Sequence, residues 1–232
     1  MCRVAHREGT RTLVATPHVN SDYLEVTAAA MEDGVLALNR ALSSAGLDLT
    51  VRTGAEVALS RVGELPDPEL GRLALGGGPY VLLELPWTSA ASGAISALRT
   101  FAHRGYRIVL AHPERSPMLQ RHHEVVRELV DSGVLCCLDA SSLTPRADHG
   151  ARSMAWEMLA GGLVHVIASD CHDAVRRPPA LGSVLRQAGL SAAQIDYFAA
   201  EAPEAILNGV PPPPPPAVEA RHRRRWLPRR RR

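Results

Sequence analysis

The chain has 232 residues, of which 46% are hydrophobic, and a formal net charge of +2 at pH 7. This length suits one α/β domain of barrel size or two small domains, with enough apolar residues for a sizeable core. No apolar run reaches the ~18 residues that a membrane span needs, and no signal peptide opens the chain. The four cysteines, Cys2, Cys136, Cys137 and Cys171, form neither a disulfide framework nor a zinc ribbon. We therefore expect a cytoplasmic protein with reduced thiols.

Six short apolar runs predict strands, and helical periodicity with flanking glycines predicts the helices between them. The predicted strands are 12–15, 49–53, 80–85, 107–111, 134–138 and 164–168. The predicted helices are 1–9, 26–45, 90–104, 118–132, 151–160, 179–188 and 191–200, with a last turn at 203–208 and a loop with one helical turn at 64–75. Because strands alternate with helices, the sequence predicts an α/β protein with a parallel sheet or barrel.

Charge divides the chain into an acidic body and a basic end. Residues 1–210 carry 18 Arg against 23 Asp and Glu, whereas eight Arg lie between residues 221 and 232. This predicts one domain over 1–210, followed by a polyproline spacer and a disordered Arg-rich tail over 211–232. The acidic body argues against nucleic acid as its partner. For the tail, an anionic membrane surface and nucleic acid both stay open, beside the default of a solvated tail.

Five of the predicted strands end at or near residues that can bind a metal ion. These residues are His18, Glu56, Glu84, His112, Asp170 and His172. In a parallel barrel the C-terminal ends of the strands meet on one face, which carries the active site. Any single His is better explained by an ordinary structural role. Six such residues at five strand ends are poorly explained by coincidence, because acids are seldom buried without a reason.

The types of these residues indicate a hydrolytic metal site. His and carboxylate ligands without Cys suit Zn²⁺, Mn²⁺ or Fe. Two or more such metals can hold a phosphate ester and activate a water for attack on phosphorus. Arg115, three residues after His112, is suited to clamp the phosphate oxygens. The alternative for residues 113–115 is a turn with a surface ion pair.

The other histidines and Cys171 are predicted to have structural roles. His103, His122 and His123 fall in predicted helices and are interpreted as surface residues. His165 lies in a predicted strand and is interpreted as a core His with its hydrogen bonds satisfied. His149 is predicted to lie in a loop. Cys171 lies between Asp170 and His172, and we interpret it as a packing residue whose side chain points away from theirs.

Several motifs together resemble one family, and the resemblance spans about residues 1–210. The motifs are Thr16-Pro17-His18-Val19-Asn20, Gly54-Ala55-Glu56, Leu83-Glu84-Leu85-Pro86, His112-Pro113-Glu114-Arg115 and Ser169-Asp170-Cys171-His172. In this order they resemble the bacterial capsule-regulating tyrosine phosphatases, the CpsB/CapC/YwqE-like members of the polymerase-and-histidinol-phosphatase (PHP) superfamily. The resemblance implies a distorted TIM-like (β/α)7 barrel that holds a cluster of three divalent metals, often Mn²⁺, with Zn²⁺ and Fe as the other candidates.

The resemblance also implies roles for the residues. Glu56, Glu84 and His112 would hold one metal, His18 and His172 would contribute to a second, and Glu56 and Asp170 would share a third. Arg115 would act beside His112 in catalysis by binding the phosphate and assisting the leaving group. The implied substrate is phosphotyrosine on the tail of a bacterial tyrosine autokinase that controls capsule and exopolysaccharide synthesis.

One departure from the family pattern concerns the N-terminus. The family opens with a strand that carries His-x-His, followed by a loop Asp, ahead of the helix that here begins at Met1. We therefore expect a barrel that lacks its first strand, with one metal set complete and two depleted. A start codon assigned too far downstream is the favoured explanation, and a short chain with weakened catalysis is the alternative.

The predicted function is that of a metal-dependent phosphotyrosine-protein phosphatase in which activated water, and not a cysteine, attacks phosphorus. One alternative is another PHP phosphoesterase that acts on a small molecule such as histidinol phosphate, although Glu84 argues against it. A second alternative, from another class, is a catalytically impaired regulator that keeps a partial metal site and binds a kinase tail.

Overall fold

The computed structural model describes residues 1–87, 92–102 and 104–219. The strands are Thr12–Val14 (β1), His18–Val19 (β2), Thr50–Arg52 (β3), Glu56–Ala58 (β4), Tyr80–Glu84 (β5), Arg107–Ala111 (β6), Leu135–Asp139 (β7) and Val166–Ala168 (β8). The helices are Cys2–Arg7 (α1), Ala28–Ser44 (α2), Asp67–Arg72 (α3), Ser92–Ala102 (α4), His123–Asp131 (α5), His149–Ala160 (α6), Leu181–Ala188 (α7), Ala192–Asp196 (α8) and Ala202–Leu207 (α9). A π-helical turn, Tyr197–Glu201, joins α8 to α9.

All strand pairs are parallel, and their order in the main sheet follows the chain. The main sheet has the order β2-β4-β5-β6-β7-β8, and β1 pairs with β3 in a small second sheet. The pairing of β1 with β3 continues into the pairing of β2 with β4 through two backbone hydrogen bonds. Ala15 donates its N–H to Arg52 O, and Glu56 donates its N–H to Pro17 O. Because neighbouring strands are parallel, the chain must cross back to the start of the sheet before each new strand, and helices make such crossovers.

The sheet curls so that its two outer edges approach each other. His18 belongs to β2 at one edge, and His172 follows β8 at the other edge. The centroids of these two imidazole rings lie 5.9 Å apart. In a flat sheet, five strand spacings of ~4.8 Å would separate the two edges by roughly 24 Å. The contact between these rings therefore requires strong curvature, with one concave and one convex face.

Each face of the curved sheet carries its own apolar cluster. The convex face packs against the helices through residues such as Val81, Leu83 and Leu110, all fully buried. The concave face carries a smaller cluster of Leu75, Tyr80, Leu82, Val109, Ala111 and Ile206. Because Tyr80 begins β5 and Ile206 belongs to α9, helix α9 covers the N-terminal end of the strands. The opposite, C-terminal end of the concave face is left for polar residues.

Gly54 allows two strands to pass closely at the entrance to that polar end. A Cβ at this position would lie 2.9 Å from Val14 Cγ1 and 3.1 Å from Leu75 Cδ2. Real Cβ atoms do not approach carbon this closely, so the missing side chain lets β1 pack on the segment that leads from β3 into β4. Glu56 follows two residues further on, as the first residue of β4.

The predicted α/β class and parallel sheet are confirmed, and all six predicted strands are present with ends that differ by at most two residues. The short strands β2 and β4 were missed, because two or three residues carry no readable alternation. Helix 118–132 was predicted too long, since α5 begins only at His123. Met118 and Leu119 are buried in the turn before it. The predicted start of helix 90–104, and His103, lie outside the described residues.

The polyproline segment lies along the body after α9. Tyr197 donates its hydroxyl to Pro213 O at 2.5 Å, and Gln194 donates its side-chain amide to Ala217 O at 2.8 Å. Val218 packs against the main core. The Arg-rich run from residue 221 lies outside the described residues. None of the helices in the described part of the chain is long and apolar enough to cross a membrane.

Candidate metal centre

Four of the predicted ligands converge at the C-terminal end of the concave face. The register aligns His18 of β2 with Glu56 of β4, while Glu84 ends β5 and His112 directly follows β6. One ligand atom each from His18, Glu56 and Glu84 lie within 4.8 Å of one another. His112 Nε2 lies 3.0 Å from Glu56 Oε1 and 3.7 Å from Glu84 Oε1. Two imidazoles and two carboxylates thus surround one point.

The pKa values of Glu56, Glu84 and His112 are shifted by burial and by the charges of their neighbours. Burial and the neighbouring charge of Glu56 raise the pKa of the Glu84 carboxyl. Burial opposes ionisation of Glu56 too, but its hydrogen bond with His112 and the charges of three imidazoles lower its pKa overall. Burial alone would lower the pKa of His112, yet its hydrogen bond to Glu56 raises it. Two adjacent buried carboxylates call for a positive charge between them.

The residues present fit a divalent metal ion. His18 Nδ1 is buried and has no hydrogen-bond partner among the described residues. A buried imidazole nitrogen left in this way costs about 1–3 kcal/mol, unless a metal ion takes the place of the hydrogen bond. Imidazole and carboxylate ligands without thiolate are the set that Zn²⁺, Mn²⁺ and Fe accept.

Asp170 and His172 reach the same place from the loop after β8. The His172 ring lies beside that of His18, and its Nδ1–H donates to the backbone oxygen of Asp170 at 2.9 Å. This bond directs Nε2 away from the backbone, as in most metal-binding histidines. The Asp170 carboxylate instead accepts hydrogen bonds from Arg115, at 2.9 Å, and from Arg177. Its role as a metal ligand therefore stays a prediction.

Backbone strain is concentrated at two of the predicted ligands. His112 has φ +29° and Asp170 has φ +44°, and no other non-glycine residue in the described ranges has a positive φ. Such conformations cost of order 1–3 kcal/mol each and persist where the surroundings enforce them, often at active sites. Here the strain turns both side chains towards the same cleft.

Arg115 lies at the mouth of this cleft and is held from three sides. Its Nη1 donates to Asp170 Oδ2 at 2.9 Å and to Asp139 Oδ2 at 3.3 Å. Its guanidinium carbon lies 5.2 Å from the centroid of the Trp87 ring. Trp87 also stacks on His112 and donates its indole N–H to Glu84 Oε1 at 3.0 Å. The predicted phosphate clamp and the ligands are thus physically linked.

The sequence interpretation missed Asp139, Arg177 and Trp87. Asp139 is the last residue of β7, and the predicted strand ended one residue too early to include it. Applying the same strand-end rule to this fifth predicted strand would have found it. Arg177 and Trp87 lie in loops, five and three residues beyond a predicted ligand. No spacing rule marks such residues, because only the folded chain brings them to the cleft.

Glu114 is buried, so the alternative of a surface ion pair at residues 113–115 is wrong for this residue. The turn itself is confirmed, as a 3-10 turn at Pro113–Arg115. Glu114 Oε1 accepts hydrogen bonds from the Ser142 hydroxyl at 2.7 Å and from the Asp139 N–H at 3.1 Å. Burial raises the pKa of Glu114 to about 7. The side chain ties the turn that carries Arg115 to the end of β7.

The remaining histidines have structural roles, largely as predicted. The Cys136 N–H donates to His165 Nδ1 at 3.1 Å, and burial lowers the pKa of His165 to about 4, so its predicted satisfied hydrogen bond is present, but the residue is half-buried and precedes β8 instead of lying in a strand. His122 is exposed just before α5, as expected for a surface residue. His123 is half-buried and bonds to Gln120 O, so it is only partly a surface residue. His149 begins α6, and its predicted place in a loop is wrong.

Cys171 and Arg177 stand at the C-x5-R spacing of cysteine-dependent phosphatases, a pattern that our sequence interpretation overlooked. Such an enzyme needs free backbone N–H groups in the loop to bind phosphate. Here Asp173 Oδ1 accepts the N–H groups of residues 175, 176 and 177, and Arg177 O accepts those of 172 and 173. These donors are used within the loop, which argues against a cysteine mechanism.

Comparison with known proteins agrees with this geometry. The profile of the family described as capsular polysaccharide synthesis, CpsB/CapC, matches residues 1–207. Tyrosine-protein phosphatase YwqE of Bacillus subtilis is 28% identical over 177 residues, which cover 76% of this chain and 70% of that protein. Tyrosine-protein phosphatase CpsB of Streptococcus pneumoniae is 27% identical over 182 residues, with coverages of 75% and 74%.

The fold also matches a solved structure at 26% sequence identity. That structure comes from work on YwqE of Bacillus subtilis and CpsB of Streptococcus pneumoniae, described as unique metal-dependent tyrosine phosphatases. The TM-score is 0.77, over 94% of this chain and 90% of the other. With residues 1–207 matched by the profile, this chain belongs to the CpsB/CapC family of capsular polysaccharide synthesis.

Proposed function

We propose that this chain is a metal-dependent phosphotyrosine-protein phosphatase that acts in capsular or exopolysaccharide synthesis. The observation that carries the proposal is the convergence of His18, Glu56 and Glu84 within 4.8 Å, where the buried His18 Nδ1 has no hydrogen-bond partner in the described part of the chain. The names of the relatives support a phosphotyrosine substrate. The curled parallel sheet in chain order supports a distorted TIM-like barrel of the PHP type.

His18, Glu56, Glu84 and His112 would hold metal, with Asp170 and His172 completing the cluster from the loop after β8. Bound divalent metal, which we propose to be Mn²⁺, supplies Lewis acidity towards the phosphoryl oxygens and lowers the pKa of water. Trp87 and Glu114 keep the ligands and the clamp in register through their hydrogen bonds to Glu84 and to the end of β7.

Arg115 and Arg177 would bind the phosphate oxygens. Both guanidinium groups contact Asp170 at the mouth, so they are positioned before substrate arrives. A guanidinium offers a planar fork that matches two phosphate oxygens. Because the leaving tyrosine oxygen gains negative charge as the P–O bond breaks, Arg115 also stabilises that oxygen until it takes a proton.

The experiment compares three substrates with the purified chain after Mn²⁺ loading: a phosphotyrosine peptide, the matching phosphoserine peptide and histidinol phosphate. We expect the highest kcat/KM for the phosphotyrosine peptide. A higher kcat/KM for histidinol phosphate would favour the small-molecule phosphoesterase instead. Metal bound at stoichiometry without turnover of any of the three would favour a non-catalytic regulator.

The proposed partner is the phosphotyrosine tail of a tyrosine autokinase, met by residues 1–210 in the cytoplasm. Residues 211–232 would then place the Arg run against the anionic membrane beside that kinase. Vesicles that contain anionic lipid should bind the whole chain at low salt and release it at high salt. Binding that persists after deletion of 217–232 would contradict the membrane role, and tight binding to nucleic acid instead of vesicles would replace it.

A further inference from the structure

A groove opens directly beside the candidate metal centre. It has a volume of about 150 Å³ and shares Glu84 and Trp87 with the centre. Its other walls include Ala58, Leu59 and Pro86, with Asp22 at the rim. A cavity of about this volume can take one benzene ring. The groove is therefore large enough for the ring of a single aromatic side chain.

Trp87 is the residue that joins this groove to the reacting centre. Its indole is fixed by the hydrogen bond to Glu84, by stacking on His112 at 5.8 Å and by the guanidinium of Arg115. Nevertheless 54% of its surface is exposed. A large aromatic residue that is fixed in place but half exposed offers a preformed surface on which a second ring can stack.

The charge of the groove indicates what kind of group it accepts. Among the described residues that line it none is cationic, and Asp22 and Glu84 are acidic. A second phosphate or carboxylate would be repelled there. A neutral, flat group attached to a phosphate held at Arg115 would meet no such repulsion. The aryl ring of phosphotyrosine has these properties, and the short methylene of phosphoserine does not reach or fill the groove.

We propose that this groove binds the aryl ring of the substrate and that Trp87 determines the preference for aryl over alkyl phosphates. The proposal rests on the phosphatase function proposed above and names the subsite that gives it phosphotyrosine specificity. The phosphate occupies the metal centre and Arg115, and the ring contacts the exposed part of Trp87 inside the groove.

Kinetics of Trp87 variants provide the first test. Two values of kcat/KM are measured with Mn²⁺-loaded protein, one for a phosphotyrosine peptide and one for the matching phosphoserine peptide, which is an alkyl phosphate. The quantity compared is the ratio of the first to the second. Trp87→Ala should lower this ratio about fivefold to tenfold, the loss expected for one aromatic stack. Trp87→Phe should retain the ratio within about twofold. If Trp87 only supports Glu84 and His112, both substrates will slow equally and the unchanged ratio will overturn the proposal.

Binding provides a second test that does not depend on turnover. Calorimetry compares a peptide with phosphonomethyl-phenylalanine and one with the phosphonate analogue of phosphoserine. Ser60→Trp places a ring in the groove and leaves every predicted ligand in the sequence unchanged, and it should lower the affinity for the aryl peptide about tenfold while the affinity for the alkyl peptide stays the same. Leu24→Ala is the control, since Leu24 is 64% exposed but does not line the groove.

The outcomes separate this proposal from the proposed function. If no phosphate ester is hydrolysed but the aryl phosphonate loses affinity in Trp87→Ala and Ser60→Trp, the groove assignment holds and the phosphatase function fails. If phosphotyrosine is hydrolysed while neither variant changes the aryl preference, the phosphatase function holds and the groove assignment fails.

Discussion

His112 is the residue on which the candidate site depends most. It directly follows β6, adopts a strained left-handed conformation and places Nε2 against both Glu56 and Glu84. It therefore connects the two buried carboxylates to the turn that carries Arg115. Because the surrounding structure maintains this backbone strain, we expect a change of the His112 side chain to weaken metal binding more than it destabilises the fold.

His112→Ala should lower kcat for a phosphotyrosine peptide by at least about 100-fold, since it removes a ligand and leaves the Glu56 carboxylate without its hydrogen-bond donor. Bound metal, measured by mass spectrometry, should fall in parallel. His122→Ala is the matched control, because His122 is exposed at the start of α5. Full turnover in His112→Ala would remove His112 from the site.

Arg115→Lys should lower kcat/KM by about 10-fold or more and leave metal content unchanged, since an ammonium group cannot reproduce the planar fork towards phosphate. Arg121→Lys, in the exposed turn before α5, provides the control. A parallel loss of metal in Arg115→Lys would mean that Arg115 acts on the ligands and not on phosphate.

His165 makes the stability of the fold depend on pH. Burial lowers its pKa to about 4, below the 6.5 of an exposed imidazole. As the pH falls below 6.5, the unfolded chain takes up the proton first, so the folded state loses stability until the pH reaches about 4. Allowing for partial solvent screening, this loss amounts to about 1 kcal/mol near pH 5.5.

Urea denaturation of metal-free protein tests this dependence. His165→Asn keeps an acceptor for the Cys136 N–H and removes the titration. Between pH 7 and pH 5.5 the unfolding free energy should fall by about 1 kcal/mol more in the wild type than in this variant. His122→Asn should behave as the wild type does. Identical pH dependence in all three proteins would exclude His165 as the cause.

At the scale of elements, α9 closes the end of the sheet opposite to the metal centre. Ile206 is 2% exposed and belongs to the apolar cluster of the concave face, together with Tyr80 and Leu82. This cluster supports the floor beneath Glu84, because Leu82 and Glu84 point to the same face of β5. The helix therefore stabilises the site without contacting it.

Ile206→Ala should lower the free energy of unfolding by about 2–4 kcal/mol, through lost burial and the cavity that it leaves. Glu204→Ala, on the exposed side of the same helix, should change it by less than about 0.5 kcal/mol. Chemical denaturation measures both. If the two variants have equal stability, α9 does not close the inner core.

The strands were easier to predict from the sequence than the ends of the helices. Six of the eight strands in the described residues were predictable because each is a short apolar run bounded by turn residues, and Val81 and Leu83 are buried as such a run requires. The true start of α5 was not, since Met118 and Leu119 are as apolar as helix residues but pack from a turn. His122, with φ −130° and ψ 62°, ends that turn, and no periodicity encodes this conformation.

For the whole molecule, the strand-end rule predicted which residues meet but not how they pair. Glu84 and His112 lie at the C-terminal ends of β5 and β6, whereas His18 and Glu56 begin β2 and β4, the short strands that follow β1 and β3 in the chain. The engagement of Asp170 by two arginines depends on a loop after β8, and the position of Trp87 depends on the loop after β5. Such contacts follow from tertiary packing, so spacing in the sequence could not predict them.

The measurement that tests the central claim most directly is hydrolysis of a phosphotyrosine peptide by the whole chain before and after removal of metal. We predict that EDTA abolishes turnover, that Mn²⁺ added after removal of EDTA restores it, and that His112→Ala is not restored. Turnover that survives complete chelation, with metal content verified by mass spectrometry, would contradict a catalytic metal centre at His18, Glu56, Glu84 and His112.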